Sequence, residues 1–368
     1  VWKPLLVLIG MVVASPIALL SRDRISALNE RLERGGANLS YQPTTGYLRS
    51  VLETLDIPVE SQVMVFSPTS FEAKLIDEEN PRALYTTDDV VIGWVRGSSL
   101  LEAVAVDSRQ GAVFYTLDQA PAVKPRFQRN DSCLSCHKTQ QTSGVPGLLV
   151  LSNGAVVDHR TPLNERWGGW YVTGFSNRFR HLGNRIGQGW LESLYDQFDY
   201  SGYLTEYSDM VALMALEHQA HATNLLTRLS LGGWSDTRNI SDLVDYLLFI
   251  GEAPLPGKII GTSGFAEKFA TLGPSDRKGR SLRQFDLAHR MMRYPCSYMV
   301  YAPSFNALPP AAKSALYARM WEILSGRAAK EKYARLAFSD REAVIEILKD
   351  TKQDLPPYFK PMHSAATD

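Results

Sequence analysis

Glu102-Ala103-Val104-Ala105-Val106, a short break containing Gly111, and then Ala112-Val113-Phe114-Tyr115-Thr116 decide the fold. Both runs are short, β-branched and aromatic, and a turn residue separates them, which predicts paired strands. The same texture extends outward in both directions. Gln62-Val63-Met64-Val65-Phe66 and Asp89-Val90-Val91-Ile92-Gly93-Trp94-Val95 precede it, and Gly147-Leu148-Leu149-Val150-Leu151 and Gly169-Trp170-Tyr171-Val172-Thr173 follow it. Past residue 185 the period changes. Ser208-Asp209 opens a long helix to about Arg228, and Ser241-Asp242 caps another into Phe249. Helical patterns recur at 263–271, 283–292, 310–325 and 340–350, the last opening at Ser339-Asp340. The fold class is therefore α+β, a β-rich region followed by a helical C-terminal region. The expected division is 1–21, 22–45 as a tether, 46–190 as a mixed α/β domain and 191–368 as a helical domain.

Between the strands lies Asn130-Asp131-Ser132-Cys133-Leu134-Ser135-Cys136-His137. The Cys-x-x-Cys-His spacing places two thiols where they add across the two vinyl groups of one haem, with the adjacent imidazole of His137 on the iron. Two other readings compete. Half a zinc site would need a second cysteine pair, but of the three cysteines only Cys296 remains. A thioredoxin-like pair would follow a strand and open a helix, whereas this one follows a charged loop. One covalent haem c is the cofactor expected, held by Cys133 and Cys136.

The sixth iron ligand is open among several residues. His181 lies in Arg180-His181-Leu182-Gly183-Asn184. Met210, Met214, His218 and His221 fall on one stripe of the helix opened by Ser208-Asp209. His181, His218, His221 and Met214 are the candidates. The competing reading makes the methionines core filler and the histidines surface or satisfied core groups. His159, His289 and His363 are read as residues of polar loops or ends. Arg126, Arg129 and Arg166, or the basic run Arg277, Lys278, Arg280 and Arg283, are candidates to meet haem propionates or an acidic partner. Cys296 sits in an apolar aromatic run and reads as an inert buried thiol.

Lys+Arg and Asp+Glu are equal at 39 each, so nothing supports a nucleic-acid partner. The apolar run Leu5 to Leu20 reads as a signal peptide or an uncleaved N-terminal membrane anchor, near the lower limit of the roughly 17–25 residues that span a bilayer. Either reading puts the chain in the periplasm or on the extracytoplasmic face of the membrane, N-terminally anchored or secreted.

Ala83-Leu84-Tyr85-Thr86-Thr87-Asp88-Asp89, Gly111 to Asp118, Cys133 to His137, Glu165-Arg166-Trp167-Gly168-Gly169-Trp170-Tyr171-Val172-Thr173-Gly174, Gly279 to Arg283 and Arg293 to Tyr298 together resemble an uncharacterised family of exported bacterial cytochrome c-like proteins with a single haem-attachment motif. The resemblance implies export and haem, and carries no activity. A haem motif set between strands is also similar, in order of elements, to PAS-like haem sensor domains. The function expected is electron transfer between redox partner proteins, within a membrane complex or the periplasm. The alternatives are a peroxidase-like haem enzyme with an open sixth site, and a haem-bearing sensor or structural subunit of a larger redox complex.

Overall fold

In the computed structural model, residues 23–176, 180–186, 189–328 and 331–360 are described. The run read as a signal peptide or anchor lies outside them. Among the described residues no helix is long and apolar enough to cross a membrane.

The chain begins with α1 (Arg24–Glu33) and α2 (Leu48–Thr54), then lays down β1 (Val63–Val65), β2 (Arg82–Thr86), β3 (Val90–Trp94), β4 (Leu100–Asp107), β5 (Gly111–Asp118) and β6 (Gln128–Arg129). A single helical turn, α3 (Leu134–His137), follows. After it come the small hairpin β7 (Leu151–Ser152) and β8 (Ala155–Val156), and then β9 (Trp170–Tyr171). The rest is helical: α4 (Met210–Ser230), α5 (Thr237–Leu247), α6 (Phe265–Thr271), α7 (Pro303–Asn306), α8 (Pro310–Leu324) and α9 (Phe338–Thr351). This is an α+β fold.

Among the described residues the main sheet has seven strands in the order β6-β5-β4-β3-β2-β1-β9. The first six strands form an unbroken antiparallel meander, and β9 adds to the outer edge of β1. β4 alternates half-buried and buried residues along its length, the period-2 signature that the opening runs announced.

The alternation gives the sheet two different faces. Met64, Ala83, Tyr85, Ile92, Ala103, Ala105, Val113 and Tyr115 pack against Ile25, Leu28, Leu48, Val51 and Leu52 of α1 and α2. Val63, Val65, Leu84 and Val91 instead join the core built by α4 to α9. Leu194, Phe198 and Tyr203 belong to the first core, so both cores draw on residues either side of position 190.

Segment 23–45 is packed down where a tether was expected. Asp23 caps α1, accepting from Ile25 N at 3.0 Å and Ser26 N at 2.9 Å, and also accepts from the Tyr115 hydroxyl at 2.7 Å. Asn29 clamps Phe127 by accepting from its N–H (3.0 Å) and donating to its carbonyl (2.8 Å). A buried polar side chain with both roles satisfied holds a helix in place.

α4 is buried on almost every side, as a helix through the middle of a core must be. Asp209 caps it through Val211 N at 2.7 Å and ties it to a second loop through Thr262 N at 2.7 Å and Ser263 N at 2.8 Å. α5 starts at Asp236 rather than at Ser241, because the Asp236 carboxylate accepts from Arg238 N. Ala337 rather than Ser339 precedes α9. The helix expected at 283–292 is a turn. Asp286 accepts from Ala288 N and His289 N at 2.9 and 3.0 Å, Leu287 adopts φ 58°, and Phe285 bridges back to Met292. A side-chain carboxylate that captures these amides competes directly with a helix.

Candidate functional site

The Cys-x-x-Cys-His segment hangs from the edge of the sheet. Asn130 N donates to Phe114 O at 2.8 Å just after β6 ends. The Asn130 side chain then accepts from Ser132 N, starting a 3-10 turn over Asp131–Cys133 that runs into α3. Cys133 and Cys136, three residues apart through this helical turn, share one side of it. Cys133 is half-buried, Cys136 is exposed, and both are free thiols. Burial, with the Glu102 charge, holds the Cys133 thiol above its ordinary range.

His137 is oriented by the segment that follows. Its Nδ1 donates to Gly147 O at 3.0 Å, and Gly147 N donates back to His137 O at 2.9 Å. A carbonyl only accepts, so Nδ1 carries the ring proton and the Nε2 lone pair is left for a ligand. This is the arrangement by which proteins fix the tautomer of a metal-bound imidazole. The Phe114 ring lies 4.7 Å from the imidazole, tilted by 49°. Burial lowers the His137 pKa, against the opposing pull of the Gly147 carbonyl.

Gly147 is itself anchored to the central helix. Asn224 of α4 accepts from Leu148 N and donates to Leu148 O, both at 2.8 Å. A Cβ on Gly147 would fall 2.2 Å from Asn224 Oδ1, so any side chain there would push Asn224 off Leu148. On the other side Pro146 O accepts from Ala112 N at 3.0 Å, at the start of β5. The ring of His137 is thus positioned by the sheet and by α4 together.

Sheet register shows what lies beside the motif. Thr116 is opposite Glu102, Glu102 opposite Gly93, and Gly93 opposite Leu84. Phe114 is opposite Val104. All of these therefore share one face with Arg82, two residues before Leu84. Leu148 of the motif loop and Leu216 of α4 line a small cavity with Val91, Val104 and Val106, and all of Val91, Val104, Val106, Arg82, Glu102 and Thr116 are half-buried. The Arg82 guanidinium lies over Gly93, pairs with Glu102, and keeps a buried Nε without an acceptor. Arg82 and Glu102 both bear electrostatically on Cys133 and His137.

A second polar cluster is buried deep against α4. His159 Nδ1 and His218 Nδ1 share a hydrogen bond of 2.8 Å, and His218 Nε2 meets Ser297 Oγ at 2.6 Å. Tyr246 and Phe249 stack on His218. Arg166 donates to Glu217 at 2.9 Å, to His159 O at 2.9 Å and to Thr161 O at 2.7 Å. Burial outweighs the guanidinium and pushes the Glu217 carboxyl up to about 7. Burial drives His218 down to about 3 and His159 well below its ordinary value, so both rings are neutral at pH 7. His159, expected in a polar loop, is 2% exposed and is a core residue.

The candidate sixth ligands are placed as follows. His218 commits both ring nitrogens to His159 and Ser297. Met214 lies in the apolar core of the helical half. His221 Nε2 meets Arg160 at 3.1 Å, with Asp158 at 4.0 Å from Nδ1. His181 sits between the rings of Trp167 and Trp190, its Nδ1 accepting from Gly183 N at 3.0 Å. Burial lowers both His181 and His221 to about 4.

The arginines weighed for propionates are engaged elsewhere: Arg166 with Glu217, Arg126 with Glu33, and Arg129 with Asp131. Arg277, Lys278 and Arg280 pair with Asp350, Glu346 and Asp276, and Arg283 pairs with Asp88. Cys296 is fully buried, and burial pushes its thiol up to about 12. Sequence reasoning missed Gly147, Asn224, Arg82 and Glu102 as neighbours of the motif. Only the Gly in Val145-Pro146-Gly147, a turn signal, hinted at one of them.

Among the described residues, no group of three or more His, Cys, Asp or Glu side chains converges to hold a metal ion. Comparison with family models, with curated proteins and with solved structures gives no match.

Proposed function

We propose that this chain is an exported c-type cytochrome with one covalent haem, acting in electron transfer in the periplasm or at the extracytoplasmic face of a membrane. One observation carries the reading. His137 donates Nδ1–H to Gly147 O beside two free thiols on the same helical turn, which leaves Nε2 as the donor for iron. The donor set fits haem c: Cys133 and Cys136 for the two thioethers, His137 for the proximal position. When bound, the haem supplies a one-electron couple, and the protein sets its potential through the axial ligands, burial and neighbouring charge. The half-exposed position of the motif at a sheet edge suits exchange with a redox partner protein.

The engagement of His218 and of His221, and the burial of Met214, favour His181 over them as the sixth ligand. They also give weight to a second reading, an open sixth site serving a peroxidase-like reaction. The experiment is the reduced spectrum of full-length protein matured in a host that attaches haem c, with and without carbon monoxide. Electron transfer predicts a low-spin spectrum unchanged by carbon monoxide. A spectrum converted at once by carbon monoxide transfers the conclusion to the enzymatic reading. Colourless protein overturns both.

A further inference from the structure

We propose that Arg82 is a carboxylate-binding residue of the site, donating to a propionate of the covalent haem, with Glu102 as the internal acceptor that holds the guanidinium in place. This rests on the haem reading given above.

Four observations carry the inference. Arg82 and Glu102 lie on the same sheet face as Phe114, on whose ring His137 packs. Both side chains are only half-buried there. Glycine at position 93 leaves space that Arg82 uses, since a Cβ there would lie 2.5 Å from a guanidinium nitrogen. Finally, Arg82 keeps an unspent donor: Nε is buried and has no acceptor, although a terminal nitrogen already meets Glu102.

A guanidinium offers five N–H groups in a planar fork, and one carboxylate does not exhaust them. A second carboxylate beside Glu102 therefore has guanidinium N–H groups left to meet. Propionates are the only anionic groups a haem presents, and Arg–carboxylate contacts are the strong, geometrically specific kind. Arg129 is opposite Tyr115 and so lies on the other face of the sheet, and Arg166 is sealed in the core with Glu217, whereas Arg82 shares the face of Phe114. The positive charge of Arg82 disfavours the oxidised, more positive iron, and so raises the midpoint potential.

The test uses the full-length matured protein and its R82Q, R82K and E102Q variants. Covalent haem content, read by in-gel haem staining, reports on the haem reading alone. Resonance Raman of the propionate bending modes and the midpoint potential report on Arg82. R82Q is expected to keep its haem, shift a propionate bending mode and move to lower potential. R82K is expected to shift the same mode while staying nearer the wild-type potential, because it keeps the charge and loses the fork. E102Q is expected to raise the potential. Haem-loaded R82Q with unaltered propionate modes overturns the assignment of Arg82 and leaves the cytochrome reading standing. Wild-type protein without covalent haem removes both. Should R82Q fail to fold, R82K carries the test by itself.

Discussion

The chain keeps two groups of histidines in opposite conditions. His159 and His218 are sealed in the core, neutral, stacked on aromatic rings and bonded to each other. His137 stands at the sheet edge on a single turn of helix, with one ring nitrogen assigned to a backbone carbonyl and the other left over. His218 commits both ring nitrogens and His159 keeps an Nε2 sealed in the core, so burial on every side marks both as groups that specify packing. Partial exposure with one uncommitted nitrogen marks a group held ready for a ligand. Imidazoles of the same chemistry are thus separated in role by what surrounds them.

The largest expected effect lies in the sealed region. Glu217→Ala strands Arg166 in the core and should cost about 3–5 kcal/mol in chemical denaturation. If stability hardly changes, the buried cluster is not a structural centre and the contrast fails. Cys136→Ala, by comparison, should remove a haem thioether with little change in apoprotein stability.

Acid should be the next strongest probe. The unfolded histidines take up protons near pH 6.5, while folded His218 resists until about 3, and His159 is lowered as well. Their neutral state therefore contributes stability that is fully present above pH 6.5 and is lost progressively toward pH 3. Glu217 and Glu252 act in the opposite sense. Burial raises both to about 7, so their contribution is complete below about pH 4.5 and is lost as pH rises through 7. The two trends oppose each other between 4.5 and 6.5, and below that the histidine trend is joined by carboxylates whose pKa the fold lowers, among them Asp158 and Asp354. Melting temperature should fall most steeply between pH 4.5 and 3, and His218→Gln should flatten that fall. An unchanged slope in the variant would mean the pair is not the acid-sensitive element.

Asn224→Ala sharpens the comparison because Asn224 links the two regions. It leaves the Leu148 amide and carbonyl without partners, a loss of about 1–3 kcal/mol. It should also loosen Gly147, and hence shift the midpoint potential of the loaded protein. An unchanged potential with the full stability loss would separate the loop from the imidazole. The smallest effect is expected at Arg129→Ala. This exposed pair with Asp131 should be worth no more than about 0.5 kcal/mol, read as an unchanged melt.

Much of the fold was legible in the sequence because period and turn residues carry it. β4 alternates cleanly, β5 announces itself by its β-branched and aromatic residues after Gly111, and Asp209 announced α4. β2 was not called as a strand, because it is buried along nearly its whole length and gives no alternation to read. The turn at 283–292 was misread because an Asp followed by apolar residues looks the same whether it caps a helix or makes a side-chain turn. The Cys-x-x-Cys-His reading was local and needed only spacing. Its surroundings were not local. Arg82, Glu102, Phe114, Gly147 and Asn224 come from five separate stretches, and only pairing register and the close passage of α4 bring them near the motif. His159 was misjudged for the same reason, since its partners His218 and Ser297 are remote in sequence.

Intact-mass spectrometry of the matured chain, followed by peptide mapping, tests the central claim most directly. The account predicts a mass increment of one iron porphyrin, retained under denaturing conditions and located on the peptide bearing Cys133 and Cys136. Two unmodified thiols at those positions, in protein made by a host competent in haem c attachment, would contradict it.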